Sequence, residues 1–440
     1  MIYILPISIS IMIGYLGLRL ILKNDPPKLP LLIFLGASAG LFASAFLVFT
    51  SLILWGKLFS AFVITAHTAL LLALGWCVRK VFPDGKRLPL NEFEASDKLG
   101  LLLVAVITIP VIIHANFYPY GGWDAWSCWN LKARFIFLGG EGWKNMFDPL
   151  LWRSNIAYPF LVPAVNVWAW CFGTDPVNTV PLGVSCLITF ITAGTLLFAL
   201  KKITGRLHVL LAPLWLLSNV FFVKLASSQY SDLMVGNYFL AAIVSWIAFE
   251  KSKSRGWLCV MALMLGALSF TKSEGLVLSL ITLGLAFMMR LLSKDKSGLT
   301  KGLWIFGAAA VVAFLPTIIF QITFSTNSHT FINGLGSADK PATLERLQAV
   351  LAFMGMELMS GKWNGFWLIA LLGIALSRWK AWRKELLLIP LTLIAYLIVL
   401  GGVYWINTFF PIVWWLGNTL NRIIYALTPA VIFWVFLALE

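Results

Sequence analysis

A small set of charged residues, each flanked by aromatic or hydroxyl-bearing neighbours, is the part of this sequence best suited to chemistry. Asp124 sits in Gly122–Arg134, where Trp123, Trp126 and Trp129 alternate with Ser127, Asn130, Lys132 and Arg134. Asp232 follows Ser227, Ser228, Gln229, Tyr230 and Ser231. Lys272 and Glu274 share the short stretch Thr271–Gly275, and Arg422 closes Asn418–Arg422. A carboxylate can take a proton from a hydroxyl, and a guanidinium can hold a phosphate through two parallel hydrogen bonds. Each position also has a plainer reading. Asp124 and Asp232 could cap helices, Lys272 and Glu274 could pair across a turn, and Arg422 could snorkel to lipid headgroups.

Other chemistries find less support. No HExxH, GxSxG or phosphate-loop pattern occurs. His114, His208 and His329 are too dispersed for a metal triad, and His67 falls inside an apolar run. The five cysteines show no CxxC or Cys/His spacing, which argues against a structural metal. Cys128 and Cys171 could share one compartment and pair, but separate burial as small apolar residues is the simpler reading.

The elements that must position these residues are membrane spans. Of 440 residues, 60% are hydrophobic and 12% charged, against roughly 25% charged in a soluble globular chain. Apolar runs near the ~20 residues needed to cross a bilayer recur from end to end, leaving no stretch for a separate soluble domain. We expect about thirteen transmembrane helices, near 2–22, 31–55, 58–78, 99–116, 180–200, 207–225, 233–249, 257–271, 275–290, 303–323, 363–377, 386–405 and 423–439. The first run has no basic segment before it and no small-residue cleavage site, so it reads as a retained span.

The net charge of +15 comes from basic residues scattered through short loops, which points to membrane orientation rather than to nucleic acid. They cluster at every second connection: Lys23/Lys28; Arg79/Lys80/Lys86/Arg87/Lys98; Lys201/Lys202/Arg206; Lys251/Lys253/Arg255; Arg290/Lys294/Lys296/Lys301; and Arg378/Lys380/Arg383/Lys384. The positive-inside rule assigns these six connections to the cytoplasm, with the N-terminus outside and the C-terminus inside. Two further apolar stretches, 156–172 and 344–360, would break the alternation as single crossings. They read as helices lying on or dipping into the outer leaflet. Asp124, Asp232, Glu274 and Arg422 then share the outer surface. After Asp124, Trp126, Trp129, Ala133 and Phe137 form one face of an amphipathic helix, suited by its tryptophans to the headgroup zone.

This pattern resembles the GT-C superfamily of integral membrane glycosyltransferases, in particular bacterial members related to protein mannosyltransferases and aminoarabinose transferases. The resemblance rests on Gly122–Arg134, Tyr158–Pro163, Tyr230–Leu233, Thr271–Gly275 and Asn418–Pro429, in that order over about 116–435. It implies a bacterial inner membrane enzyme with a three-span N-terminal extension (1–98) and a GT-C-like catalytic domain (99–440) bearing outer loops at about 116–180 and 324–362. It further implies a polyprenyl-phosphate-linked sugar as donor and a lipid, glycan or protein acceptor in the cell envelope. Asp124 would be the general base, with Asp232, Lys272, Glu274, Arg422, Trp126, Asn130 and Lys132 binding substrate. The absence of a second acid beside Asp124 leaves a divalent metal open, and no other cofactor is called for. The alternatives are a transporter or flippase, with ionisable residues along a midplane path, and a glycan polymerase or ligase using Arg346 and His329.

Overall fold

The computed structural model describes residues 2–83, 94–204, 207–293, 299–324 and 342–440. His329, Lys86, Arg87, Arg206, Lys294 and Lys296 lie outside the described residues, which are helical and contain no strand. In chain order the helices are α1 (Ile4–Ile21), α2 (Leu29–Trp55), α3 (Ser60–Val81), α4 (Ala95–Phe117), α5 (Asn130–Leu138), α6 (Leu161–Trp170), α7 (Thr179–Thr204), α8 (Leu211–Leu217) and α9 (Val220–Ala226). They continue with α10 (Asp232–Ser252), α11 (Arg255–Ser269), α12 (Ser273–Leu291), α13 (Leu299–Phe324), α14 (Leu344–Leu358), α15 (Phe366–Ser377), α16 (Leu388–Ile406), α17 (Ile412–Tyr425) and α18 (Thr428–Leu439).

Nine of the described helices are long and apolar enough to cross a membrane, or ten if the bent α17–α18 pair is one span. The chain is therefore a polytopic helical membrane protein. The expected thirteen crossings differ from this count for local reasons. The 207–225 run breaks at Ser218, because Asn219 accepts from Phe221 N and Phe222 N and starts a new helix. In the 363–377 run, Asn364 and Gly365 take left-handed backbone (φ 49° and 73°), so α15 has only 12 residues. The α11 helix has 15 residues, about 22 Å against a ~30 Å hydrocarbon core. Thr428 and Pro429 open α18 after a 45° bend. The 156–172 stretch also differs from a helix lying on a surface. All ten residues of α6 are buried, as suits a helix apolar all round. In α14, by contrast, only Val350 is buried.

Close approach through small residues holds the long helices together. A Cβ at Gly40 would stand 1.7 Å from Ser10 O, and one at Gly14 would stand 1.8 Å from Gly36 O. This lets α1 and α2 touch along their backbones and brings Ser10 Oγ within 2.7 Å of Ser44 Oγ. Asn237 and Tyr238 of α10 then bond to Ser38 Oγ and Ser38 O of α2 at 2.9 and 3.0 Å. Helices α1 and α2 are thus packed into the same bundle as α10.

The basic connections meet at one end of that bundle. Lys28 pairs with Glu94, and Lys201 pairs with Glu94 and Asp97. Trp257 Nε1 donates to Asp25 at 2.7 Å, Lys202 lies over Trp257, and Lys251 donates to Ile203 O. Arg290 lies over Phe249, while Arg383 donates to Leu437 O and Lys380 to Glu440 O. The C-terminus is therefore at this end. The α4 and α10 helices run from here to the opposite end. With 21 residues, α10 covers about 30 Å, and it begins there with Asp232.

Candidate functional site

At the far end, two glycines let the chain turn tightly. Gly121 has φ +70°, and a Cβ on Gly122 would stand 2.4 Å from the Tyr230 hydroxyl. Gly122 N donates to Ser228 O at 3.0 Å, seating this turn on the one before α10. A π-helical turn, Ala125–Trp129, follows; such turns are wider than an α-helix and recur at functional sites. Asp124 precedes it with no capping bond from its side chain. The capping reading therefore fails, because the carboxylate binds Arg422 instead. Arg422 also stacks over Tyr230 at 5.2 Å.

A second charged group lies beside the first. Lys272 is buried and donates to Asp232 at 3.0 Å, with Glu274 3.3 Å away. Burial opposes its charge, but Asp232 and Glu274 more than offset that, so its pKa lies above the ordinary lysine value. The salt-bridged turn that is the plainer reading of Lys272 and Glu274 is thus present and extends to Asp232. Tyr158 donates its hydroxyl to Glu274 Oε1 at 3.2 Å. Burial first, and the Glu274 carboxylate second, push the Tyr158 pKa well up, so it remains a donor at neutral pH.

Asp124, Tyr158, Glu274 and Arg422 line a cavity of about 680 Å³, with Trp123, Trp152 and Trp414 among its aromatic walls. Arg153 and Asn421 also line it. Lys272, paired with Asp232, stands behind the lining and holds Glu274. Trp126 does not line the cavity, but it packs edge-on against Trp123, with centroids 4.4 Å apart.

Asn130 and Lys132 serve the walls. Asn130 donates to Gln229 Oε1 at 2.9 Å and accepts from Asn166 at 3.3 Å, while Gln229 donates to Pro119 O at 2.9 Å. This chain ties α5 and α6 to the turns that carry Asp124 and Asp232. Lys132 donates to Asn155 O, Tyr158 O and, more weakly, Ile156 O at 2.8, 2.9 and 3.5 Å. Burial lowers its pKa to about 8. Trp129 stacks on Tyr158 at 5.4 Å with rings 5° apart, so the backbone and ring of Tyr158 are both held.

Tyr158, Arg153 and Asn421 are three of the polar lining residues to which the sequence reading gives no role. Tyr158 and Asn421 both fall within motifs quoted above, and Arg153 lies in the long 116–180 loop. Nothing in their spacing separates them from structural neighbours. All five cysteines are free, and burial pushes the Cys128 thiol up to about 12, so it supplies no thiolate at neutral pH. Among the described residues no three His, Cys, Asp or Glu side chains converge on a metal position. The two carboxylates on the cavity wall are bonded to Arg422 and to Lys272 and Tyr158.

No family model, characterised protein or solved structure matches the chain. What fold and site define is a polytopic helical membrane protein with a polar, aromatic-walled cavity at the bundle end opposite its basic connections.

Proposed function

We propose that this protein is a GT-C-like membrane glycosyltransferase that moves a sugar from a polyprenyl-phosphate donor to a hydroxyl of a cell-envelope acceptor. The observation that carries the reading is the Asp124–Arg422 pair on the wall of the 680 Å³ cavity, a base and a phosphate-binding cation side by side. With the basic connections cytoplasmic by the positive-inside rule, the cavity faces outward from a bacterial inner membrane, the N-terminus lies outside and the C-terminus inside. In this reading α8–α9, α11, α15 and the α17–α18 pair complete thirteen crossings. A lipid-borne donor reaches the cavity within the leaflet, past the tryptophans at its rim, and needs no nucleotide-binding domain.

In the reaction the acceptor oxygen attacks the anomeric carbon as its proton passes to Asp124. The bond from that carbon to the phosphate oxygen breaks, and polyprenyl phosphate leaves with inversion at the sugar. Arg422, preorganised by Asp124 and Tyr230, takes up the charge that develops on the leaving group. Lys272 acts one layer back, paired with both Asp232 and Glu274. The test is release of polyprenyl phosphate by the purified, vesicle-reconstituted protein from a panel of polyprenyl-phosphate sugars, with envelope lipid and glycan acceptors present. Release that requires both acceptor and Asp124 supports the reading. Release at the native rate by Asp124→Asn would show the base assignment to be wrong.

A further inference from the structure

Buried polar atoms in proteins nearly always have partners. On residues lining the cavity, three do not: Glu274 Oε2, Asn421 Oδ1 and Arg422 Nε. Glu274 is only 6% exposed, and its other oxygen is occupied by the Tyr158 hydroxyl and Lys272. The carboxylate is therefore clamped by one oxygen with the other unused. Tyr158 cannot readily release it, because its ring is stacked on Trp129 and its backbone oxygen is held by Lys132. Asn421 and Arg422 are consecutive on α17, so the three atoms belong to two elements that meet at one cavity. Two of them are acceptors and one is a donor. Their complement is a ligand offering hydroxyl hydrogens and, next to them, an oxygen that accepts.

We propose that Glu274 and Asn421 form a hydroxyl-recognition subsite for the saccharide part of the ligand, with Tyr158 as the positioning residue that aims Glu274. Arg422 Nε remains for an acceptor oxygen adjoining those hydroxyls. This rests on the glycosyl-transfer reading and deepens it. Asp124 handles the proton that moves, while Glu274 and Asn421 recognise hydroxyls that do not react. The subsite thus sets which sugar is taken.

The probes are farnesyl phosphate and farnesyl phosphate esterified to glucose, galactose, mannose, N-acetylglucosamine or arabinose, titrated against the full-length protein in nanodiscs. At least one conjugate should bind about tenfold tighter than farnesyl phosphate, the size of one hydrogen bond to a charged group. Glu274→Gln should remove most of that increment and Asn421→Ala a smaller share, each read as the ratio of conjugate affinity to farnesyl phosphate affinity in the same variant. Tyr158→Phe should raise KM for the preferred conjugate more than it lowers kcat. If Glu274→Gln does not fold, Asn421→Ala, at a partly exposed position, still reads the subsite. An increment unchanged in every folded variant overturns the subsite, and the glycosyl-transfer reading then stands or falls on Asp124-dependent release. If no conjugate exceeds farnesyl phosphate, the subsite is overturned, and if polyprenyl phosphate release is also absent, the reading falls with it.

Discussion

Both ends of the α4–α10 core hold buried charge, and they hold it differently. At the basic end, Asp97 is buried against Lys201, with Glu94 and Lys28 completing a chain that reaches the surface. The gap among these groups is small, about 200 Å³. At the opposite end, Asp124, Asp232 and Glu274 pair directly with Lys272 and Arg422 among the described residues, and polar atoms are left over beside a cavity more than three times as large. In the first arrangement Asp97 and Lys201 lie within the regular helices α4 and α7. The second needs broken helices: the π-helical turn at Ala125–Trp129, the Ser218–Asn219 break and the bend before α18. The first cluster satisfies itself, whereas the second leaves unpaired polar atoms on residues lining a cavity, the feature on which the proposed ligand site rests.

The largest effect that sharpens this contrast is at Asp124. Asp124→Asn keeps the shape of the side chain and should lower transfer by about 10²- to 10⁴-fold, the usual contribution of a positioned base, measured as initial rate on protein of unchanged thermal stability. Next is Lys272→Met, which leaves two buried carboxylates without their cation. It should cost about 3–5 kcal/mol, read as a lower melting temperature in detergent. The corresponding change at the basic end, Asp97→Asn, should also destabilise but leave the rate per folded molecule unchanged. A loss of catalysis there would break the comparison.

How much of this is legible in the sequence differs between the two ends for a physical reason. The convergence of six basic connections on one end follows from charge counting, because topology in a membrane is set by loop charge. Asp124, Asp232, Lys272, Glu274 and Arg422 are recognisable because ionisable residues beside apolar runs are expensive. The Lys272–Glu274 pair is legible because the two are neighbours in sequence, whereas the pairing of Asp124 with Arg422 is not, since they are 298 residues apart. Tyr158 and Asn421 resemble any interfacial aromatic or amide until their partners are known. The breaks in 207–225 and 363–377 depend on Asn219 capping and on left-handed Asn364 and Gly365, local events that a hydropathy run averages away.

A smaller effect is expected from pH. Lys132, with a pKa lowered by burial to about 8, serves three carbonyls as an ammonium. Above that pH the amine keeps only two donors, the Asn155–Tyr158 segment loosens, and the rate should fall as pH rises through about 8. Stability moves the other way. The unfolded chain keeps this proton to about 10.5, so between the two values the contribution of Lys132 to stability increases with pH. Lys132→Met should flatten that limb of the rate profile; an unchanged limb would assign it elsewhere. Smallest of all is Lys57→Ala, which removes a solvent-exposed pair with Glu141 and should shift stability by less than about 1 kcal/mol.

The most direct test sets the two ends against each other in one assay. Wild-type, Asp124→Asn and Asp97→Asn proteins, reconstituted in vesicles with a polyprenyl-phosphate sugar that the wild type accepts, are followed for release of polyprenyl phosphate. Release by the wild type and Asp97→Asn at similar rates per folded molecule, with little from Asp124→Asn, is the expected result. Release by Asp124→Asn at the native rate would contradict the central claim that the Asp124 cavity is where the sugar is transferred.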